Sequence, residues 1–351
     1  MRIAIISLSN IYLTPYINKY KQEVNAQMDL IYWDRHNIEE TLDNINLIPF
    51  KLFIPENSSK ITKLRGYFHF RRFAIKRLKS GNYDGVILLQ SIIGVLLSLF
   101  ILKKYKKKYI LDIRDYTYEM NKIYFTIEKK IIENSFFTAI SSSGFKHFLP
   151  AYDYVLTHNI TFIDKKLPQK TKESEKIVIS YIGLIRFLDI CMKTIDIFKN
   201  DDRFILKFIG EGSQLLTQYC EINQVDNVVL IERFKPEETI DLYNDASIIY
   251  NLYGNSTPLV RYALSNKLYY AAQLVKPIAV QSDTYMAQIS KEFNFGIEFN
   301  LEHHNLPDEI FEQYHKMNFE KMNFGCKIFL TQIKEDEEKY YQKIRDFEEC
   351  L

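Results

Sequence analysis

Three short segments in the second half of the chain gather the residue types that hold anions. SYIGLIRF, residues 180–187, closes an apolar run with Gly183 and follows it with Arg186. KFIGEGSQ, residues 207–214, sets Gly210 and Gly212 after a second apolar run. YGNSTPLVRYALSNK, residues 253–267, brings Ser256, Thr257, Arg261, Asn266 and Lys267. Glycines after a strand let a ligand approach the backbone closely, while hydroxyls, amides and cations at helix starts meet negative charge. The set describes a diphosphate site built without a metal ion, and no Asp-x-Asp triplet, the usual divalent-ion holder, occurs in the chain. The plainer reading of Asn266 and Lys267 is a solvated helix start.

The first half ends its apolar runs differently. Ser7 to Tyr12 (with Ser9 and Asn10), Gln90 to Gly94, Asp112 to Glu119, Ser141 to Phe148 (with Ser142) and Thr157 to Asn159 (with His158) are polar and partly glycine-bearing. Groups that both donate and accept suit a polyhydroxylated ligand. Arg114 beside Asp115 stands where a run gives out and reads equally as a fold-locking pair or as part of a site. Ser141 to Gly144 reads as a helix start with free N–H groups, serving as a structural cap or a ligand contact.

These segments must be positioned by strands. RIAIIS, DLIYW, GVILLQ, KYILDI, FTAISS and YVLTHN alternate with helical stretches, then KIVISYIG, FILKFIG, NVVLIER, ASIIYNLY, PIAVQS and FGIEFN begin the pattern again. Strand–helix alternation gives open parallel sheets with helices on both faces, whose ligands bind at the strand carboxyl ends. A lysine-rich, apolar-poor stretch over residues 162–179 reads as the linker. The expected organisation is a first domain over 1–165, a second over 166–330 and a helix over 331–351 that packs back on the first domain. Tyr340, Tyr341, Ile344 and Phe347 form that helix's apolar stripe.

Length and composition agree: 351 residues, 47% of them hydrophobic, furnish two cores. Residues 1–165 carry 24 basic and 15 acidic side chains, the remainder 22 and 29, so the two halves face different partners or two sides of one reaction. The overall charge of +2 and the lack of a recognised motif argue against nucleic acid. Cys191, Cys220, Cys326 and Cys350 have neither metal-ligand spacing nor a paired framework, which a reducing cytosol permits. The opening MRIAIISLSN reads as a first strand and not as a signal peptide. GVILLQSIIGVLLSLFIL, residues 85–102, is uncharged, yet its Gln90-Ser91 break predicts a buried strand and a covering helix instead of a membrane span. Residues 65–79 and 103–108 mix cations with aromatic and aliphatic residues, as a peripheral membrane surface does and as a solvated helix face also does.

The order IGLIRF, FIGEGSQ, NKLYYAAQLVKPIAV resembles the donor-sugar half of the group 1 glycosyltransferases of GT-B fold, while YILDIRDYTYE and ISSSGFKHFLP resemble the acceptor half of members from bacterial capsule and exopolysaccharide clusters. The resemblance implies an α/β protein with two Rossmann-like doubly wound domains facing across a cleft and a helical tail. It implies transfer of a sugar from a nucleotide-diphosphate sugar, a UDP-sugar foremost, to a saccharide acceptor that is lipid-linked, with retention and without metal or other cofactor. A cytoplasmic protein, peripheral on the inner membrane face, follows. Arg186 matches the family's phosphate-binding arginine, but Cys191 stands where a lysine is usual. Asn266 and Lys267 match the start of the phosphate-facing helix, and the ribose-binding glutamate falls on Tyr270. Arg233 and Phe234 fall where the family wraps the base. Arg114-Asp115 falls on a His-Asp pair, so a fixed cation replaces a group that titrates near neutrality; Asp115 is the candidate that polarises the acceptor hydroxyl. Ser9, Asn10, Ser142, His158 and Asn159 are the acceptor-side candidates. A nucleotide-sugar epimerase of the same architecture and a non-catalytic partner subunit remain as alternatives.

Overall fold

A computed structural model describes residues 1–55, 57–163 and 176–351. Two compact units are formed, one from Met1–His158 with Glu335–Leu351 and the other from Asn159–Lys334. The linker expected over 162–179, and with it the 165/166 boundary, falls largely on residues 164–175, outside the described residues.

The first unit holds β1 (Arg2–Ser7), β2 (Gln27–Asp34), β3 (Ile45–Lys51), β4 (Gly85–Leu89), β5 (Tyr109–Ile113), β6 (Phe137–Ile140) and β7 (Val155–Leu156). They pair in the order β3-β2-β1-β4-β5-β6-β7, every pair parallel. The central β4 and β5, GVILL and YILDI, are buried at every position, as continuous apolar runs in a doubly covered parallel sheet must be. Residues 85–102 resolve as the sequence predicts, into β4 and the helix Ser91–Lys104. Among the described residues no helix is long and apolar enough to cross a membrane.

The second unit holds β8 (Ile177–Ile182), β9 (Phe204–Ile209), β10 (Val228–Ile231), β11 (Ile248–Asn251), β12 (Ile278–Gln281) and β13 (Gly296–Phe299). Their order is β10-β9-β8-β11-β12-β13, again all parallel. Two apolar cores lie on the two faces of this sheet: Ile179 and Tyr181 of β8 enter one, Ile182 the other. That is the alternation of a strand's side chains. The last helix runs over Phe319–Glu349, and the 331–351 segment expected to pack on the first domain is its second part. Its Met322, Cys326, Phe329 and Ile333 belong to the second unit's core, and its Tyr340, Ile344 and Phe347 to the first unit's.

Candidate functional site

In the second sheet the chain winds outward in one direction through β9 and β10 and in the other through β11, β12 and β13, so the order reverses between β8 and β11. The carboxyl ends flanking such a reversal are where open α/β sheets bind ligands. The loop after β8 carries Arg186, and the connection after β11 leads into the helix Asn266–Leu274 that carries Lys267.

Glycine is required at two places in these loops. Gly210 has φ +134°, and a Cβ on it would stand 2.1 Å from the Gly183 carbonyl oxygen. Gly212 has φ +96°, and its Cβ would stand 2.9 Å from the Ile185 carbonyl oxygen. The Gly183 N–H donates to Ile209 at 2.9 Å and the Ile185 N–H to Glu211 at 2.8 Å. The two loops thus pack backbone on backbone, and the segment from Gly183 to Arg186 is fixed by its neighbour. A Cβ on Gly183 itself would meet nothing within 4 Å, so one side of that glycine is open. Arg186 is exposed; its N–H donates to the Tyr181 hydroxyl at 3.1 Å, and that hydroxyl donates to the Leu184 carbonyl at 3.0 Å.

Lys267 is the second residue of the helix Asn266–Leu274 and is only 6% exposed. Its Nζ donates to the Tyr253 hydroxyl at 2.6 Å and stands 3.7 Å from the centre of the Tyr181 ring. Among the described residues it forms no ion pair with a carboxylate. Burial drives its ammonium well below the ordinary lysine range; the Cys191 thiol opposes that and the Arg186 guanidinium reinforces it. The positive end of the helix on which it sits disfavours the charge further. Ser265 spends its hydroxyl on Asn251 Oδ1, at 2.7 Å, and gives no side-chain cap to that helix. A buried cation, a second cation, and an uncapped helix start therefore share one place. An anion relieves all three.

The remaining second-unit candidates divide. Asn266 is exposed at the helix start. Ser256 and Thr257 are exposed, and the Thr257 hydroxyl accepts from the Val260 N–H at 3.4 Å as the cap of the helix Pro258–Tyr262. Arg233 is exposed, whereas Phe234 is packed against the apolar core. Tyr270 stacks on Tyr243, ring centres 4.7 Å apart at 21°, and burial raises its phenol's pKa. Its packing is that of a core aromatic at the position the resemblance gives to a ribose ligand.

In the first unit the structure corrects several expectations. Arg114 is buried and directed at Asp112, with Nε to Oδ1 at 2.7 Å and Nη2 to Oδ2 at 3.0 Å, and its guanidinium lies 4.3 Å from the Tyr16 ring centre. It is a fold-locking cation, while Asp115 next to it is exposed. Asn10 is fully buried and donates to Asp34 and Glu40, each at 2.9 Å, while accepting from the Arg35 N–H. Ser142 is fully buried, and its hydroxyl accepts from the Gly144 N–H at 3.1 Å, so that N–H is satisfied within the chain. His158 is 4% exposed; its N–H donates to Glu337 and its ring meets Asp336 at 3.2 Å. These three residues hold loops and the last helix in place. Ser9 closes a tight turn with Ser7, whose hydroxyl accepts the Ser9 N–H at 3.1 Å, and Asn159 is half-exposed at the start of the second unit.

Two residues of the site escape a reading by donors and cations. Tyr181 and Tyr253 sit beside Lys267, with ring centres 6.0 Å apart, and Tyr253 also packs on Phe187 at 5.3 Å. Their only sequence signal is position: each lies at the carboxyl end of one of the strands that flank the order reversal.

The two parallel-sheet units define an α/β protein of GT-B fold class. No protein-family model and no curated protein matches the chain. Solved structures do. A sucrose-phosphate synthase from Thermosynechococcus elongatus has a TM-score of 0.67 at 12% identity, covering 99% of this chain and 94% of its own. An α,α-trehalose-phosphate synthase (UDP-forming) from Burkholderia xenovorans, in complex with glucose-6-phosphate, has 0.67 at 7%, covering 99% and 100%. An E. coli trehalose-6-phosphate structure bound with UDP-2-fluoro glucose has 0.67 at 8%, covering 100% and 98%. At such identities the likeness is one of fold, and the chemistry must be argued from this chain's side chains.

Proposed function

We propose that the protein is a glycosyltransferase that moves a sugar from a nucleotide-diphosphate donor, a UDP-sugar, to a saccharide acceptor. One observation carries the reading: Lys267 is buried with no carboxylate partner among the described residues, beside Arg186 and at a helix start without a side-chain cap, at the order reversal of the second sheet. Breaking the bond between a sugar and a diphosphate sends the electron pair to a phosphate oxygen. Arg186, Lys267 and the first N–H groups of the helix Asn266–Leu274 would take up that charge, and each contact of this kind is worth about 3 kcal/mol in the transition state. Fold neighbours that are UDP-forming or bound to UDP-2-fluoro glucose support the class of donor.

The finer reading is a retaining, metal-independent member of the group 1 glycosyltransferases that acts in cell-surface polysaccharide synthesis on a lipid-linked acceptor at the inner membrane face. Asp115, exposed at the carboxyl end of β5, would polarise the acceptor hydroxyl. The membrane part rests on the helix Lys60–Ser80, which has eight Lys and Arg residues and no Asp or Glu. Ile61, Leu64 and Phe68 on it are more than half exposed, and Arg71, Arg72, Ile75, Lys76 and Lys79 line a groove of about 560 Å³. Cations around exposed apolar residues suit an anionic lipid surface. With Tyr270 in the core, ribose must be held by other groups than a carboxylate at that position. A thermal-shift screen across nucleotide sugars tests the proposal: stabilisation by uridine donors, followed by their turnover with a saccharide acceptor, is expected. Isomerised donor without acceptor would mark an epimerase, and absence of any donor effect a binding subunit.

A further inference from the structure

We propose that Tyr253, with Tyr181, is the positioning element of Lys267: two aromatic side chains hold the anion-binding ammonium where a carboxylate would have cancelled its charge. This rests on the donor-site reading given above and adds to it residues that neither the resemblance nor the donor and cation pattern contains.

A lysine side chain has four rotatable bonds and must be fixed before it can meet a phosphate at a set distance. A carboxylate partner would fix it, but would compete with the incoming anion for the same charge. Tyr253 and Tyr181 fix it otherwise. The Tyr253 hydroxyl accepts from Nζ at 2.6 Å, and Nζ stands 3.7 Å from the centre of the Tyr181 ring, so Tyr253 meets it with its oxygen and Tyr181 with its ring. Phenol oxygens and π faces attract a cation without carrying a net negative charge. Among the described residues, the groups facing Lys267 are Tyr181 from β8, Arg186 from the loop after it, Cys191 from the helix Leu188–Phe198 and Tyr253 from the loop after β11, and no carboxylate pairs with it.

The same two rings set where Arg186 stands. Tyr181 accepts the Arg186 N–H with the hydroxyl of the ring that supports Lys267, and Tyr253 packs on Phe187, next to Arg186. Tyr181 is itself stacked on Tyr250, ring centres 5.2 Å apart at 17°, so the support is anchored in the core. The two cations that would grip a diphosphate are thereby referenced to one aromatic frame.

Calorimetric titration of UDP into the wild type, Tyr253→Phe, Lys267→Met and the double variant, each first shown to be folded by circular dichroism, tests this. Tyr253→Phe keeps the ring and is expected to weaken UDP binding roughly tenfold, as loss of a hydrogen bond to a charged group does, but to have no effect in the Lys267→Met background. The alkaline limit of UDP binding should also move to lower pH in Tyr253→Phe, because the ammonium loses its acceptor; a purely structural lesion would lower affinity equally at every pH. Equal losses in both backgrounds, or no loss in the wild type, would overturn the proposal. Unweakened binding by Lys267→Met would instead overturn the donor-site reading beneath it.

Discussion

Gly210 and Gly183 meet backbone to backbone: a single methyl on Gly210 would stand 2.1 Å from the Gly183 carbonyl oxygen, at a φ of +134° that L side chains avoid. The loop that presents Arg186 is therefore shaped by a glycine in the loop after a different strand, β9. Gly210→Ala is expected to destabilise the protein by about 1–3 kcal/mol and to weaken UDP binding beyond that, since the displaced loop contains Arg186. Chemical denaturation beside UDP titration measures both; a variant as stable and as tight-binding as the wild type would contradict the packing described here.

Lys267 trades stability for an anion. Replacing a buried ammonium that has no carboxylate partner among the described residues with a methionine of similar length removes a desolvation penalty larger than the contacts to Tyr253 and Tyr181 return, so Lys267→Met is expected to raise the stability of the empty protein by about 1 kcal/mol or more while reducing its affinity for UDP. Thermal melts with and without UDP should therefore cross: the variant melts higher when empty and gains little from the ligand. A variant less stable than the wild type when empty would show that the ammonium is well satisfied where it lies.

Arg114 and Asp115 are adjacent in sequence and opposite in role. Arg114→Met leaves Asp112, which is fully buried, without its cation and is expected to cost about 3–5 kcal/mol. Asp115→Asn, at an exposed position, should leave stability within about 0.5 kcal/mol of the wild type and lower sugar transfer about a hundredfold. Transfer unimpaired by Asp115→Asn would remove Asp115 from the acceptor site.

The first unit contains a carboxyl whose ionisation opposes folding. Glu128 is fully buried, and neither of its side-chain oxygens has a hydrogen-bond partner among the described residues. Burial pushes its pKa up from 4.5 to about 8, and the nearby Glu119 charge adds to the shift. Between those two values the folded state binds more protons than the unfolded one, so this group's contribution is fully present below 4.5 and is lost as pH rises through about 8. Glu128→Gln, which does not titrate, should flatten the decline of thermal stability over that window, with the gap to wild type widening toward alkaline pH. Parallel pH profiles for the two proteins would contradict the assignment.

Much of this fold is legible in the sequence because buried parallel strands are bare apolar runs: GVILL and YILDI admit few other readings, and the polar turns between runs mark the carboxyl ends. The glycines at 210 and 212 are legible as punctuation, though the partner loop they approach is not. Lys267 shows where legibility stops. A lysine at a helix start is ordinarily solvated, and only tertiary packing, through Tyr181 and Tyr253 from other elements, buries it. Arg114 was readable and is easily misread. Side chains two apart along a strand share a side, which favours Asp112 over Asp115 as its partner. Asn10, Ser142 and His158 look like ligand contacts by type, yet each is consumed by loops or by the last helix, whose position no local pattern fixes.

Titration of UDP by calorimetry into the folded wild type, Arg186→Ala and Lys267→Met tests the central claim most directly. Saturable binding at one site in the wild type, weakened at least about tenfold, or 1.4 kcal/mol, by each substitution is the result predicted. UDP affinity unchanged in both variants would contradict it.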